Sequence, residues 1–254
     1  MTTEIPYQNF NLTVLRNALS NSKVNLVHSK REVPTWLNPV ISTIKKTKSP
    51  FQFWAVKKET TSLTEDLEQS LNHFNWENEE NKQYFIKDIC QLVELFVRLT
   101  NDTTPFISLR TIDEQYFKAN KKDVSKNFHV DTSVLTLICS YCGKGTMWLE
   151  NENILRDEFD REKMPTNPTI IENQNGETVK EMKVYEIALI KGEIRANEEP
   201  KNIDFILNFI TKEEIEIFNV GNGLIHTGPG YSEDDEKRLL ITISTMKIPD
   251  FLKK

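Results

Sequence analysis

Nowhere in this sequence do apolar residues run unbroken for the ~18 positions that a membrane-spanning helix needs. The opening residues Met1-Thr2-Thr3-Glu4-Ile5-Pro6 carry neither the basic stretch nor the apolar core of a secretory signal. Cysteine is scarce. Cys90, Cys139 and Cys142 are three in all, odd in number and too few for a disulfide framework, which suits a reducing compartment. A cytoplasmic chain with no membrane partner is the expectation. Cys139 and Cys142 make a C-x-x-C, but no second pair exists to close a zinc site, and regular strand alternation would put the two on opposite faces. Also missing are the phosphate-cradling G-x-x-x-x-G-K-[ST], the dinucleotide fingerprint G-x-G-x-x-G and the nucleophile elbow G-x-S-x-G. Nucleotide-binding and serine-hydrolase readings therefore have no motif to rest on. Excess positive charge is absent too: a net charge of −6 gives no electrostatic reason to expect nucleic acid.

What is present can bury a core. With 254 residues, 38% of them hydrophobic, the chain is long enough for one large domain or two small ones. Residues 1–104 read as mostly helical. Leu12, Leu15 and Leu19 recur at helical spacing, and Pro34 opens a second apolar face. Ser62 with Glu65 forms a capping-box pattern. Phe85, Ile89, Leu92, Phe96 and Leu99 mark a long helix over Glu79–Thr100. Residues 24–28 and 51–56 are short strand candidates. From residue 105 to 254 the period becomes alternating. Strands are expected over 106–111, around His129, over 134–142 and 146–149, over 184–191 and 223–226, and over 238–245. A hairpin-type turn is expected at Gly143-Lys144-Gly145. Residues 150–182, with a short helix near 154–159, and 195–220 read as inserted excursions. About seven short strands after a helical preface predict an α+β fold. Its core would be a double-stranded β-helix of the jelly-roll or cupin type, with the helical region packed on it.

The chemistry concentrates in Phe128-His129-Val130-Asp131-Thr132. Residues i and i+2 of an extended strand point the same way, so His129 and Asp131 project together. The chain has four histidines, and His226, 97 residues beyond His129, ends another short apolar run. Two histidines and one carboxylate with the other positions open is the facial triad of non-haem Fe(II) oxygenases. His28 and His73 lack a carboxylate at matching spacing and read as ordinary packing or surface residues. Arg238 opens the last strand, where alternation puts Leu239, Ile241 and Ile243 on a core face. Arg238, Leu240, Thr242 and Ser244 would share the other face, which suits a small polar cavity. Arg238 could hold a ligand carboxylate in its fork, or pair with the acidic loop at 233–236. Arg110 and Lys191 are the other strand cations that could take that role or touch substrate. Trp148 reads as core or as pocket wall.

The His-x-Asp…His…Arg order resembles the Fe(II)/2-oxoglutarate-dependent oxygenase superfamily. The segments Phe128-His129-Val130-Asp131-Thr132, Gly143-Lys144-Gly145-Thr146-Met147-Trp148-Leu149, Ala188-Leu189-Ile190-Lys191-Gly192-Glu193, Gly223-Leu224-Ile225-His226-Thr227 and Arg238-Leu239-Leu240-Ile241-Thr242 look more narrowly like a bacterial domain family of unassigned function. The superfamily resemblance implies Fe(II) ligation by His129, Asp131 and His226, 2-oxoglutarate as co-substrate with its far carboxylate on Arg238, and oxidation of a C–H bond on a small molecule or a protein side chain. Two other readings share these residues: a cupin-like metal-binding protein without 2-oxoglutarate turnover, and an interaction module docking through its helices. Substrate identity and oligomeric state have no motif in the sequence.

Overall fold

The computed structural model describes residues 1–56, 60–120, 125, 127–156, 179–194, 217–229 and 237–253. Their helices are α1 (Leu12–Ser20), α2 (Leu37–Lys46), α3 (Thr60–Leu71), α4 (Glu79–Thr100) and α5 (Glu114–Ala119). Their strands are β1 (Thr2–Glu4), β2 (Leu26–Ser29), β3 (Gln52–Val56), β4 (Phe106–Ile112), β5 (Leu135–Cys142), β6 (Met147–Leu149), β7 (Val179–Glu181), β8 (Ile187–Lys191), β9 (His226–Thr227) and β10 (Arg238–Thr245).

The long helix stands where its apolar stripe predicts. Asn78 caps α4 by accepting from the Glu80 N–H, and Asn101 ends it in the left-handed conformation at φ 59°. Phe85, Ile89, Leu92, Phe96 and Leu99 are all buried, each worth about 1.5–3 kcal/mol relative to exposure. They join α1, α2 and α3 in one core against a seven-stranded sheet of order β1-β2-β8-β5-β10-β4-β3. Only β1 and β2 are parallel; every other neighbouring pair is antiparallel. A three-stranded sheet, β7-β6-β9, faces the opposite side. The fold is mixed α+β, and strands from the N-terminal region extend the large sheet at both edges.

β10 shows how alternation builds two cores. Leu239, Ile241 and Ile243 enter the helix-side core, whereas Leu240 joins Ile112, Ile138, Trp148 and Ile190 in a second cluster between the sheets. Four expectations need correction. The Gly143 turn is not a hairpin: β5 and β6 belong to different sheets, so the turn carries the chain across the molecule. Gly143 is required there, because its φ is +76° and a Cβ would stand 2.7 Å from the Arg238 Cα. Cys139 and Cys142 both reach the helix-side core, because a bulge in β5 opposite Leu239 and Leu240 inserts one residue and flips the side-chain parity. Ser62 lies inside α3 rather than capping it. The strand expected at 223–226 is short, with β9 spanning only His226–Thr227. The helix expected near 154–159 falls largely outside the described residues, as do nearly all of the 195–220 excursion and the acidic loop at 233–236. No described helix is long and apolar enough to cross a membrane.

The helix-side core contains one polar knot. Arg31 donates through Nη1 to Asp88 at 2.7 Å and through Nε to the Tyr185 carbonyl at 3.0 Å. The Tyr141 and Tyr185 hydroxyls donate to Asp88 at 2.7 and 2.8 Å. Burial and the adjacent Asp88 charge push the Tyr141 hydroxyl well above its ordinary pKa. This knot ties β2–α2 and α4 to β5 and β8 across the core. Removing one member of a buried pair strands the other charge, at about 3–5 kcal/mol. Asp88→Ala is therefore expected to lower unfolding free energy by about that much in urea titration, and a loss below ~1 kcal/mol would show that the knot carries no such load.

Candidate metal centre

His129 and His226 meet as a cross-strand pair. His129 N–H donates to the His226 carbonyl at 2.9 Å, and His226 N–H donates back at 2.9 Å. Two residues that exchange both backbone bonds sit directly opposite, with side chains on the same face. Their rings accordingly lie 4.4 Å apart between centroids. Asp131, two residues beyond His129, brings its Oδ1 to 3.7 Å from His129 Nε2 and 3.5 Å from His226 Nε2. The ligand atoms of all three lie within 4.8 Å of one another, and among the described residues no other such group of three occurs.

The protonation pattern follows from the neighbours. His129 Nδ1 stands 2.8 Å from the Asn127 carbonyl and His226 Nδ1 3.1 Å from the Leu224 carbonyl. A carbonyl has no proton to give, so each Nδ1 carries a hydrogen and Nε2 is the ring atom turned toward Asp131. Nδ1–H anchored on a carbonyl is the usual support of a metal-ligating histidine. Burial acts to raise the Asp131 carboxyl; His226, His129, the Thr136 hydroxyl and the Arg110 charge outweigh it and hold it below the ordinary carboxylate value. In the neutral form of both rings, two lone pairs and a carboxylate would face one another and repel unless a cation lay between them. Ligands ~2.1 Å from one ion at right angles are roughly 3 Å apart, so 3.5 and 3.7 Å fit a shared ion better than direct hydrogen bonds. The residues fit the metal.

The support comes from β8 and its continuation. Glu193 N–H donates to the Asp131 carbonyl, and Leu224 N–H to the Lys191 carbonyl, both at 2.9 Å. Glu193 Oε1 accepts from Gly223 N–H at 2.9 Å and from Arg156, which also donates to the Gly223 carbonyl. This buried ion pair clamps the turn ahead of His226. It was not read from the sequence; Glu193 directly follows Gly192 at a strand end, and Arg156 lies in an excursion with no motif.

The remaining candidates separate. Arg238 is 2% exposed and faces the space between the sheets. Its Nε and Nη2 donate to the Ser140 hydroxyl at 3.0 and 2.8 Å, and Nη2 to the Thr146 hydroxyl at 2.6 Å. Arg110 is on the same side of the sheet, opposite Leu240 in register. Ser244 shares that face but sits at the other end of β10, bonded to Thr136 at 3.1 Å, so it belongs with the Asp131 hydroxyls rather than with Arg238. Lys191 requires correction. Its alternation partners Ile187 and Leu189 lie in the helix-side core, and its Nζ donates to the Asn21 carbonyl at 3.0 Å. It closes the C-terminus of α1, where a cation meets the helix dipole, and points away from the metal cluster. Desolvation pulls its pKa down to about 8. Trp148 pairs with His226 across β6 and β9 and stacks near His28, 5.7 Å between centroids, so both aromatic rings wall the space between the sheets.

The family model described as "Protein of unknown function (DUF1826)" matches residues 11–244. The chain belongs to this family. No curated protein matches the sequence. Among solved structures, the chain is similar to the dioxygenase for auxin oxidation 1 of Arabidopsis thaliana in its 2-oxoglutarate complex, at 10% identity and TM-score 0.49, covering 98% of this chain and 94% of that one. It is similar to the rice dioxygenase for auxin oxidation at 9% identity and TM-score 0.48, covering 100% and 88%. It is also similar to a full-length Neurospora crassa protein in complex with alpha-KG and thymine, at 13% identity and TM-score 0.43, covering 98% and 86%. The resemblance to a family of unassigned function, read from the motifs, is met by the family match. At such scores none of the three assigns a residue or a reaction to this chain.

The backbone around Asp131 leaves no room for a side chain at position 192: a Cβ on Gly192 would stand 2.2 Å from the Ser133 carbonyl oxygen and 2.4 Å from that of Asp131. Gly192→Ala is expected to displace Asp131 and weaken Co(II) binding at least tenfold in a metal titration. Unchanged affinity would mean that Asp131 is not held by this contact.

Proposed function

We propose that this chain is a non-haem Fe(II)/2-oxoglutarate-dependent oxygenase with His129, Asp131 and His226 as the metal ligands. The observation that carries the reading is the convergence of two Nε2 atoms and one carboxylate oxygen within 4.8 Å, both rings anchored through Nδ1. The order of the strands supports a double-stranded β-helix around that centre. β4, β5, β8 and β10 are contiguous in the large sheet, while the His129 bridge, β9, β6 and β7 make up the small one. The chain thus crosses repeatedly between two facing sheets, and the ligands stand at one end of the space they enclose.

Three protein ligands leave coordination positions open, and Fe(II) bound there would supply oxygen activation coupled to decarboxylation of a 2-oxo acid. The residues of the chain bind, orient and exclude water. Arg238 presents a guanidinium fork suited to the far carboxylate of 2-oxoglutarate. The Ser140 and Thr146 hydroxyls fix the plane of that fork, and near-complete burial keeps its charge unscreened. Leu240, Ile138, Ile190 and Trp148 form a buried apolar cluster between the sheets, which would keep bulk water from the centre. The substrate would be a small molecule or a protein side chain.

Anaerobic Fe(II) with 2-oxoglutarate is expected to give a weak visible charge-transfer band that disappears in His129→Ala. Arg238→Gln should keep one metal per chain while weakening 2-oxoglutarate by about 10- to 100-fold, the value of ~1.5–3 kcal/mol for a charged hydrogen bond. Fully metallated protein without the band would overturn the oxygenase reading.

A further inference from the structure

Arg110 stands apart from the other cations described. Its neighbours on β4 show which way it points: Ile107 and Leu109 face the helices, whereas Ile112 faces the space between the sheets together with Leu240 and Tyr116. Arg110 shares the parity of Ile112 and is paired in register with Leu240 on one side and Gln52 on the other. Its Nε is buried without a hydrogen-bond partner. No ion pair involves it among the described residues, and its one aromatic contact, 5.9 Å from the Tyr116 ring centroid, is at the outer limit for a cation–π attraction. A buried guanidinium nitrogen without a partner is destabilising, because it has given up its water without a replacement. A structural arginine in this chain avoids that cost, as Arg31 does with Asp88 and Arg156 with Glu193. Asp131 is near enough to feel the Arg110 charge but faces the two imidazoles. Arg238, two residues from Leu240 on the adjacent strand, is already oriented by two hydroxyls for a separate carboxylate.

We propose that Arg110 holds the carboxylate of the substrate itself, so that the substrate is a small monocarboxylate whose apolar body lies against Tyr116, Ile112 and Leu240. This rests on the oxygenase reading in that 2-oxoglutarate takes Arg238 and the open metal positions, leaving Arg110 for the molecule to be oxidised. One fork beside Asp131 suits a single negative charge. A phosphate monoester, carrying nearly two, would have no second cation committed to it.

The test uses the full chain loaded with Co(II), which binds without turnover. Straight-chain and aryl-substituted monocarboxylates of three to ten carbons, each beside its primary amide, are titrated by calorimetry, and 2-oxoglutarate is titrated separately. Wild type is expected to bind at least one carboxylate at least tenfold better than its amide. Arg110→Gln should abolish that preference, with the loss at least tenfold larger for the monocarboxylate than for 2-oxoglutarate. Arg110→Lys, which keeps the charge without the fork, should restore part of the preference, and unchanged Co(II) stoichiometry in both variants certifies the fold. The proposal is overturned if wild type prefers no carboxylate over its amide, if Arg110→Gln retains the preference, or if that variant loses 2-oxoglutarate to the same degree. Should wild type fail to bind 2-oxoglutarate while still preferring a carboxylate through Arg110, the oxygenase reading fails and the anion site stands.

Discussion

Two backbone hydrogen bonds between His129 and His226 set the geometry of the candidate metal centre. They turn a separation of 97 residues into a directly opposed pair, and from that point the rest is local geometry. The strand period delivers Asp131 to the same side, and a carbonyl two residues back from each histidine selects its tautomer. β9 is two residues long, too short to hold a register unaided. The register is held from outside by Glu193, Arg156 and the Asn222 side chain bonded to the Ser22 carbonyl at 2.7 Å. The donor set is therefore only as rigid as the β8 end to which it is tied.

The large sheet divides the molecule into two different environments. Its helix side is a broad apolar core that contains a polar knot, Arg31 with Asp88 and two tyrosines. Its other side collects groups with less intramolecular satisfaction: the Arg110 Nε, the His28 Nδ1 and the Trp148 Nε1 are buried there without partners. Buried polar atoms are almost always paired in folded proteins. Three of the six buried side-chain atoms without a partner among the described residues lie on the side of the sheet that also carries His129, Asp131 and His226.

Much of this was legible in the sequence where a period or a short spacing encodes geometry directly. The α4 stripe, the β10 alternation and the i,i+2 relation of His129 and Asp131 all depend on neighbours along the chain. The errors have a common origin in neighbours across it. Lys191 read as a second candidate for the role of Arg238, but strand parity fixes only that residues alternate, and the packing of α1 decided which face was which. The β5 bulge moved Cys142 onto the face of Cys139, an outcome no residue type there announces. Gly143 signalled a turn correctly, while its partner sheet depended on distant pairing. α5 carried a readable signal in Asp113, whose side chain caps it by accepting from Tyr116 N–H at 2.8 Å, and β1 had none beyond three polar residues at a sheet edge.

The central claim is that one divalent ion is shared by two imidazoles and a carboxylate. A crystal grown anaerobically with excess Mn(II), with diffraction collected for anomalous scattering, examines it at the atoms concerned. A single strong anomalous peak about 2.2 Å from the Nε2 atoms of His129 and His226 and from an Asp131 oxygen is the result the account predicts. Density showing the three side chains ordered around an empty space at saturating Mn(II), or the ion held by other residues, would contradict it.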